Sequence, residues 1–123
     1  MFILLVYVKF KSKEDRYLFQ GHFGKLQQYC LESEKEFLIQ YELAVSDREE
    51  DKIVIIEKYK DKDSYLNVHR KSTRFLEFKK LISSIDCEIS GESFNTTTTT
   101  STATVGEEIC REARREEERL PFE

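Results

Sequence analysis

Along Phe2 to Phe10 both alternating faces are apolar, with Phe2, Leu4, Val6, Val8 and Phe10 on one and Ile3, Leu5 and Tyr7 on the other. The pattern predicts a strand that needs cover on both sides. Ser12, with Asp15 three residues on, makes a capping-box-like start. Beyond it Leu18, Phe19, His22, Phe23, Leu26, Tyr29 and Cys30 recur at three- and four-residue spacing, the stripe of an amphipathic helix from about Lys13 to Ser33. Phe37, Ile39, Tyr41, Leu43 and Val45 then alternate with Gln40, Glu42 and Ala44, as in a half-buried strand. A polar loop, Ser46 to Asp51, joins this strand to the next, Ile53 to Tyr59, as a hairpin. Asp61 offers a cap for a short helix ending at His69 or Arg70, and Ser72 for another that turns Phe75, Phe78, Ile82 and Ile85 inward. Cys87 to Phe94 reads as a last strand, weakened by Gly91 within it.

The order strand, helix, strand, strand, helix pair, strand fits an α+β, ferredoxin-like, four-stranded antiparallel sheet with helices on one face. The opposite face stays bare, yet the first and third strands point apolar residues toward it. A soluble monomer does not usually leave so large an apolar face uncovered. A second copy of the chain is the simplest cover, so a homodimer through the sheet face is expected.

Composition changes the picture at one place. The chain has 123 residues, 39% of them hydrophobic, enough for one core and no more than one domain. After Phe94 the mixture shifts: Asn95 to Thr104 is almost wholly Thr and Ser, followed by a charged run to Arg119. Residues 1–94 are therefore expected to form the domain, and 95–123 a linker and charged tail. Glu107 to Leu120 is rich in helix formers and ends at Pro121, as a solvated helix or a disordered tail. Most of the net charge of −4 lies in that tail, and the domain carries no basic stripe, which argues against a nucleic-acid partner. The apolar opening has neither the basic flank nor the cleavage site of a signal peptide and is too short to span a bilayer. An unexported, cytoplasmic protein without membrane contact is expected. Cys30, Cys87 and Cys110 show no ligand spacing, so the sequence suggests neither a disulfide framework nor a metal site.

The run Asp51 to Lys62, the strand Tyr41-Glu42-Leu43 and the spacing His69-x-x-Ser72-x-x-Phe75-x-x-Phe78 together resemble the antibiotic biosynthesis monooxygenase family over about three-quarters of the chain. The resemblance implies a dimeric α+β barrel, two ferredoxin-like units packed sheet to sheet. It also implies, for some members, oxidation of quinols or phenols without metal or flavin, so no cofactor is expected. The substrate would be a small hydrophobic or aromatic molecule. This chain departs from the family where Glu34-Lys35-Glu36 replaces a common Glu-Pro-Gly turn, where Tyr59 replaces a common Trp, and where Thr73 and Arg74 stand in place of a second histidine. The Asn, Trp and His of haem-degrading relatives align with Tyr7, His69 and Lys79, which disfavours haem oxygenation.

His69 is the first candidate for catalysis, because an imidazole at the mouth of a pocket accepts a phenolic proton at neutral pH. The competing reading is a histidine that satisfies carbonyls at a helix end. His22 lies on the apolar stripe and is expected to face the sheet, either lining the same cavity or as a hydrogen-bonded core residue. Tyr7, Tyr41, Tyr59 and Tyr65 offer hydroxyls to a planar substrate or are core residues with a wet tip. Glu57 sits among isoleucines, where a carboxylate must be edge-exposed, paired across subunits or functional. An exposed edge or an intersubunit ion pair is the expectation.

Overall fold

The two-faced opening run becomes β1 (Phe2–Phe10) at the middle of a sheet. In the computed structural model, which describes residues 1–97, there follow α1 (Lys13–Ser33), β2 (Leu38–Val45), β3 (Lys52–Tyr59), a π-helical segment (Ser64–His69), α2 (Thr73–Ile82) and β4 (Cys87–Asn95). The strands lie in the order β2-β3-β1-β4 and every pair is antiparallel. This is the ferredoxin-like α+β architecture, with both helices on one face.

Local chemistry starts each element where the sequence indicates. The Ser12 hydroxyl accepts from the Asp15 amide at 3.2 Å, and Ser72 from the Phe75 amide at 3.2 Å. The Asp61 carboxylate accepts from both the amide and the hydroxyl of Ser64 at 2.8 and 2.7 Å, opening the π-helical segment. The three amide bonds each satisfy a backbone donor that a helix start leaves unpaired. No helix of the described residues is long and apolar enough to cross a membrane. The tail helix expected over Glu107 to Leu120 lies outside the described residues.

The core fills the space between helices and sheet. Phe2, Leu4, Val6, Val8 and Phe10 of β1 meet Phe19, Phe23 and Leu26 of α1 and Phe75, Phe78 and Ile82 of α2, all buried. Burying each such side chain contributes about 1.5–3 kcal/mol. Phe23 packs against the Tyr41 ring at a centroid distance of 5.0 Å and edge-on to Phe78 at 6.2 Å.

Two expectations about facing are corrected. Leu18 is half exposed, and the buried place one turn before Phe19 and Gln20 belongs to Arg16, whose guanidinium donates to Gln20 at 2.9 Å. In β2 the register shifts between Leu38 and Gln40, so Leu38 is buried and Ile39 is 54% exposed. The extra residue of a bulge reverses which side chains face inward on one side of it. Gly91 does not interrupt β4, where it pairs with Val6 of β1.

The other face of the sheet has no helix on it. Ile3, Leu5 and Tyr7 of β1 stand beside Val54 and Ile56 of β3 and Phe94 of β4, with Tyr7 and Phe94 exposed and the rest half-buried. The apolar second face read from the sequence is therefore present and uncovered in the single chain.

Candidate functional site

Polar side chains from four elements meet inside the helix-side core. The last turn of α1 brings Cys30, and Glu34 at its C-cap, where the Glu34 amide donates to the Cys30 carbonyl at 2.9 Å. The inward faces of β2 and β3 supply Tyr41, Glu57 and Tyr59, with Tyr41 paired opposite Glu57. The π-helical segment closes with an i to i+5 bond, Arg70 amide to Tyr65 carbonyl at 3.0 Å, and turns Tyr65 and His69 into the same region. Wide turns of this kind often accompany functional sites.

His69 is the hub. Its Nδ1 lies 3.1 and 3.2 Å from the two carboxylate oxygens of Glu34 and 3.9 Å from the Cys30 sulfur, and its Nε2 lies 3.4 Å from the Tyr41 hydroxyl. The rings of Tyr41, Tyr59, Tyr65 and Phe75 surround the imidazole at 5.1 to 6.1 Å. The helix-end reading therefore gives way to a ring turned inward onto a carboxylate. The expected place at a pocket mouth is corrected too, since His69 is 0% exposed.

Glu57 also departs from expectation. β3 is an interior strand, and Glu57 faces the core rather than an edge or a partner subunit. Its carboxylate accepts from the Tyr59 hydroxyl at 2.5 Å. Burial pushes the Glu57 carboxyl above its ordinary range, against the opposing pull of His69 and the Tyr59 hydroxyl. Burial likewise pushes the Tyr41 and Tyr59 hydroxyls up, with Glu57 next in effect. The Cys30 thiol, which donates to Glu34 at 3.6 Å, is raised by burial and then by Glu34. The two tyrosine hydroxyls and the Cys30 thiol hold their protons at neutral pH and serve as donors in a dry cluster, with Glu57 and Glu34 as acceptors.

The structure thus joins His69, Tyr41, Tyr59 and Tyr65 and separates two other candidates from them. Tyr7 lies on the open face of the sheet, in a shallow depression with Lys9, Lys52, Glu88 and Ser90. His22 does not face the sheet but lines a groove between α1 and α2 with Lys25, Arg74 and Glu77. Sequence reasoning missed Cys30 and Glu34 as partners of His69. Their i, i+4 spacing on α1 was the available signal. Sulfur, oxygen and nitrogen donors of Cys30, Glu34 and His69 lie within 4.8 Å of one another, so these three residues could hold a metal ion.

Comparison with known proteins adds family and fold. The model of the family described as antibiotic biosynthesis monooxygenase matches residues 1–81. Among solved structures, a conserved protein of unknown function from Bacteroides thetaiotaomicron is 22% identical with a TM-score of 0.67, covering 77% of this chain and 96% of its own. A candidate antibiotic biosynthesis monooxygenase from Deinococcus radiodurans is 8% identical with a TM-score of 0.69, over 83% of this chain and 98% of its own. SnoaB, a cofactor-independent oxygenase from Streptomyces nogalater, is 11% identical with a TM-score of 0.64, over 82% and 97%. At these identities the likeness is one of fold. No curated protein matches the sequence.

Proposed function

Because the chain belongs to the antibiotic biosynthesis monooxygenase family, whose model it matches over residues 1–81, we propose that it oxidises a small phenol or quinol with molecular oxygen. The observation that carries this reading is the His69–Glu34 pair set among tyrosine rings. With Nδ1–H donated to Glu34, the Nε2 lone pair faces the Tyr41 hydroxyl at 3.4 Å. His69 then takes the substrate's phenolic proton, directly or through Tyr41. The resulting phenolate is electron-rich enough to reduce oxygen and form a carbon hydroperoxide, which loses water to leave a quinone. One oxygen atom ends in the product and the other in water. Tyr59 and Tyr65 flank the ring system and exclude water from the intermediate.

Two copies are proposed to pack through Ile3, Leu5, Tyr7, Val54, Ile56 and Phe94, which would enclose the bare sheet face in a barrel. A second reading, a dimeric module that binds a small hydrophobic ligand without turnover, is favoured by one observation. His69 and Tyr59 are both 0% exposed, so a substrate must open the core to reach them.

The test is oxygen uptake with a panel of quinols and phenols by the intact chain, by His69→Ala and by Glu34→Gln. Turnover lost at least tenfold in His69→Ala supports the oxygenase. Equal turnover in that variant, or none on any compound, overturns it.

A further inference from the structure

We propose that Cys30, Glu34 and His69 form a binding site for a divalent cation of the zinc class. The donor atoms trace the face of a coordination polyhedron. Glu34 Oε1 lies 3.6 Å from Cys30 Sγ and 3.2 Å from His69 Nδ1, and the sulfur and nitrogen are 3.9 Å apart. Ordinary zinc bond lengths to sulfur, nitrogen and oxygen at tetrahedral angles give edges of about 3.3–3.6 Å. A shift of a few tenths of an ångström in these side chains would seat an ion, and Glu34 Oε2, 3.1 Å from Nδ1, would complete the set as a chelating carboxylate.

Three further observations agree. Cys30 and Glu34 share the last turn of α1 and their backbones are bonded to each other, while His69 comes from a separate element. The donors are therefore brought together by the fold rather than by chance on a mobile surface. All three residues are buried, at 0%, 4% and 0% exposure. A thiolate and a carboxylate balance a dication, which answers the cost of holding Glu34 in a dry interior. The Tyr41 hydroxyl stands at His69 Nε2, where a metal-bound imidazole donates its remaining N–H to a polar group. A sulfur, nitrogen and oxygen set selects zinc or cobalt over magnesium and calcium, which take oxygen donors alone. Binding releases the thiol proton to solvent and changes no oxidation state.

This inference goes beyond the oxygenase reading, and the two uses of His69 exclude each other. Nδ1 carries the proton when Nε2 is the base, whereas metal on Nδ1 makes Nε2 the protonated nitrogen. On that reading zinc silences the site.

The test uses the full chain with Cys87→Ser and Cys110→Ser, leaving Cys30 as its one thiol. Cobalt(II) is added to the native protein and, separately, during refolding from denaturant, so that a closed core does not hide the site. One cobalt per chain with a near-ultraviolet sulfur-to-cobalt band, displaced by zinc and lost in Cys30→Ser, is the expected result. Absence of the band by both routes overturns the site, as does unchanged zinc affinity in a Cys30→Ser chain with native circular dichroism. Oxygen uptake is read separately on the chelator-treated, metal-free chain: turnover there without a cobalt band on metal addition sinks the metal site alone, and a cobalt band with no metal-free turnover on any quinol sinks the oxygenase alone.

Discussion

Removing the Tyr59 hydroxyl tests the buried cluster directly. That hydroxyl is 2.5 Å from Glu57 Oε1, and both residues are almost without solvent exposure. Leaving a buried acceptor unsatisfied costs about 1–3 kcal/mol, and water cannot readily replace this donor. Tyr59→Phe is therefore expected to cost about 2–3 kcal/mol, which lowers the melting temperature of a domain this size by about 10 °C or more. Urea unfolding of the variant and of a cycle with Glu57→Met separates the bond from packing: in the Glu57→Met background the same change costs little, because no stranded acceptor remains. The pH dependence has a definite sign. Burial pushes the Glu57 carboxyl up, so the folded chain holds its proton more tightly than the unfolded chain and loses stability as pH rises through the raised value. The Tyr59 hydroxyl pulls that value down, so its removal raises it further, and the deficit is larger at about pH 7 than at about pH 4, near the unfolded carboxylate value. A loss below about 0.5 kcal/mol in Tyr59→Phe, or a deficit that shrinks as pH rises, refutes this account.

Other outcomes follow from the same structure. Phe23→Ala, at 2% exposure between Tyr41 and Phe78, is expected to cost about 3–5 kcal/mol in urea unfolding through the cavity it leaves. Leu5→Lys on the bare sheet face is expected to sediment as single chains at micromolar concentration while keeping its far-ultraviolet circular dichroism; unchanged association would remove that face as the contact. Asp61→Ala is expected to melt below the parent at neutral pH. The bonds from Ser64 hold the Asp61 carboxyl below its ordinary range, so the parent's advantage is lost as pH falls through that lowered value, and melting curves in acid converge.

The architecture was legible because periodicity and caps agree along most of the chain. Ser12, Asp61 and Ser72 marked helix starts by residue type, and the two apolar faces of β1 marked a strand that needs cover on both sides. Legibility failed where facing depends on a single residue. Ile39 sits at a bulge that no composition rule marks, and Leu18 shares its helical stripe with residues that the core does take. The site was half legible. Residue type alone raised His69 and the tyrosines, but their partners Cys30 and Glu34 lie on another element. Pattern reading along one helix cannot see that a π-turn far along the chain points back at it. Glu57 was misplaced because a carboxylate among isoleucines was matched to an edge, and strand order is a property of the whole sheet.

The break in register at Ile39 has a consequence for how molecules meet. β2 and β4 are the outer strands, and each leaves backbone donors and acceptors free to template a neighbour. The bulge at Ile39 interrupts one such rim, whereas Glu88 and Glu92 of β4 stand on the bare face beside Lys9 and Leu5. Edge pairing is thus discouraged along β2, and a second copy packed on the bare face, as proposed, must accommodate those two carboxylates at its β4 margin.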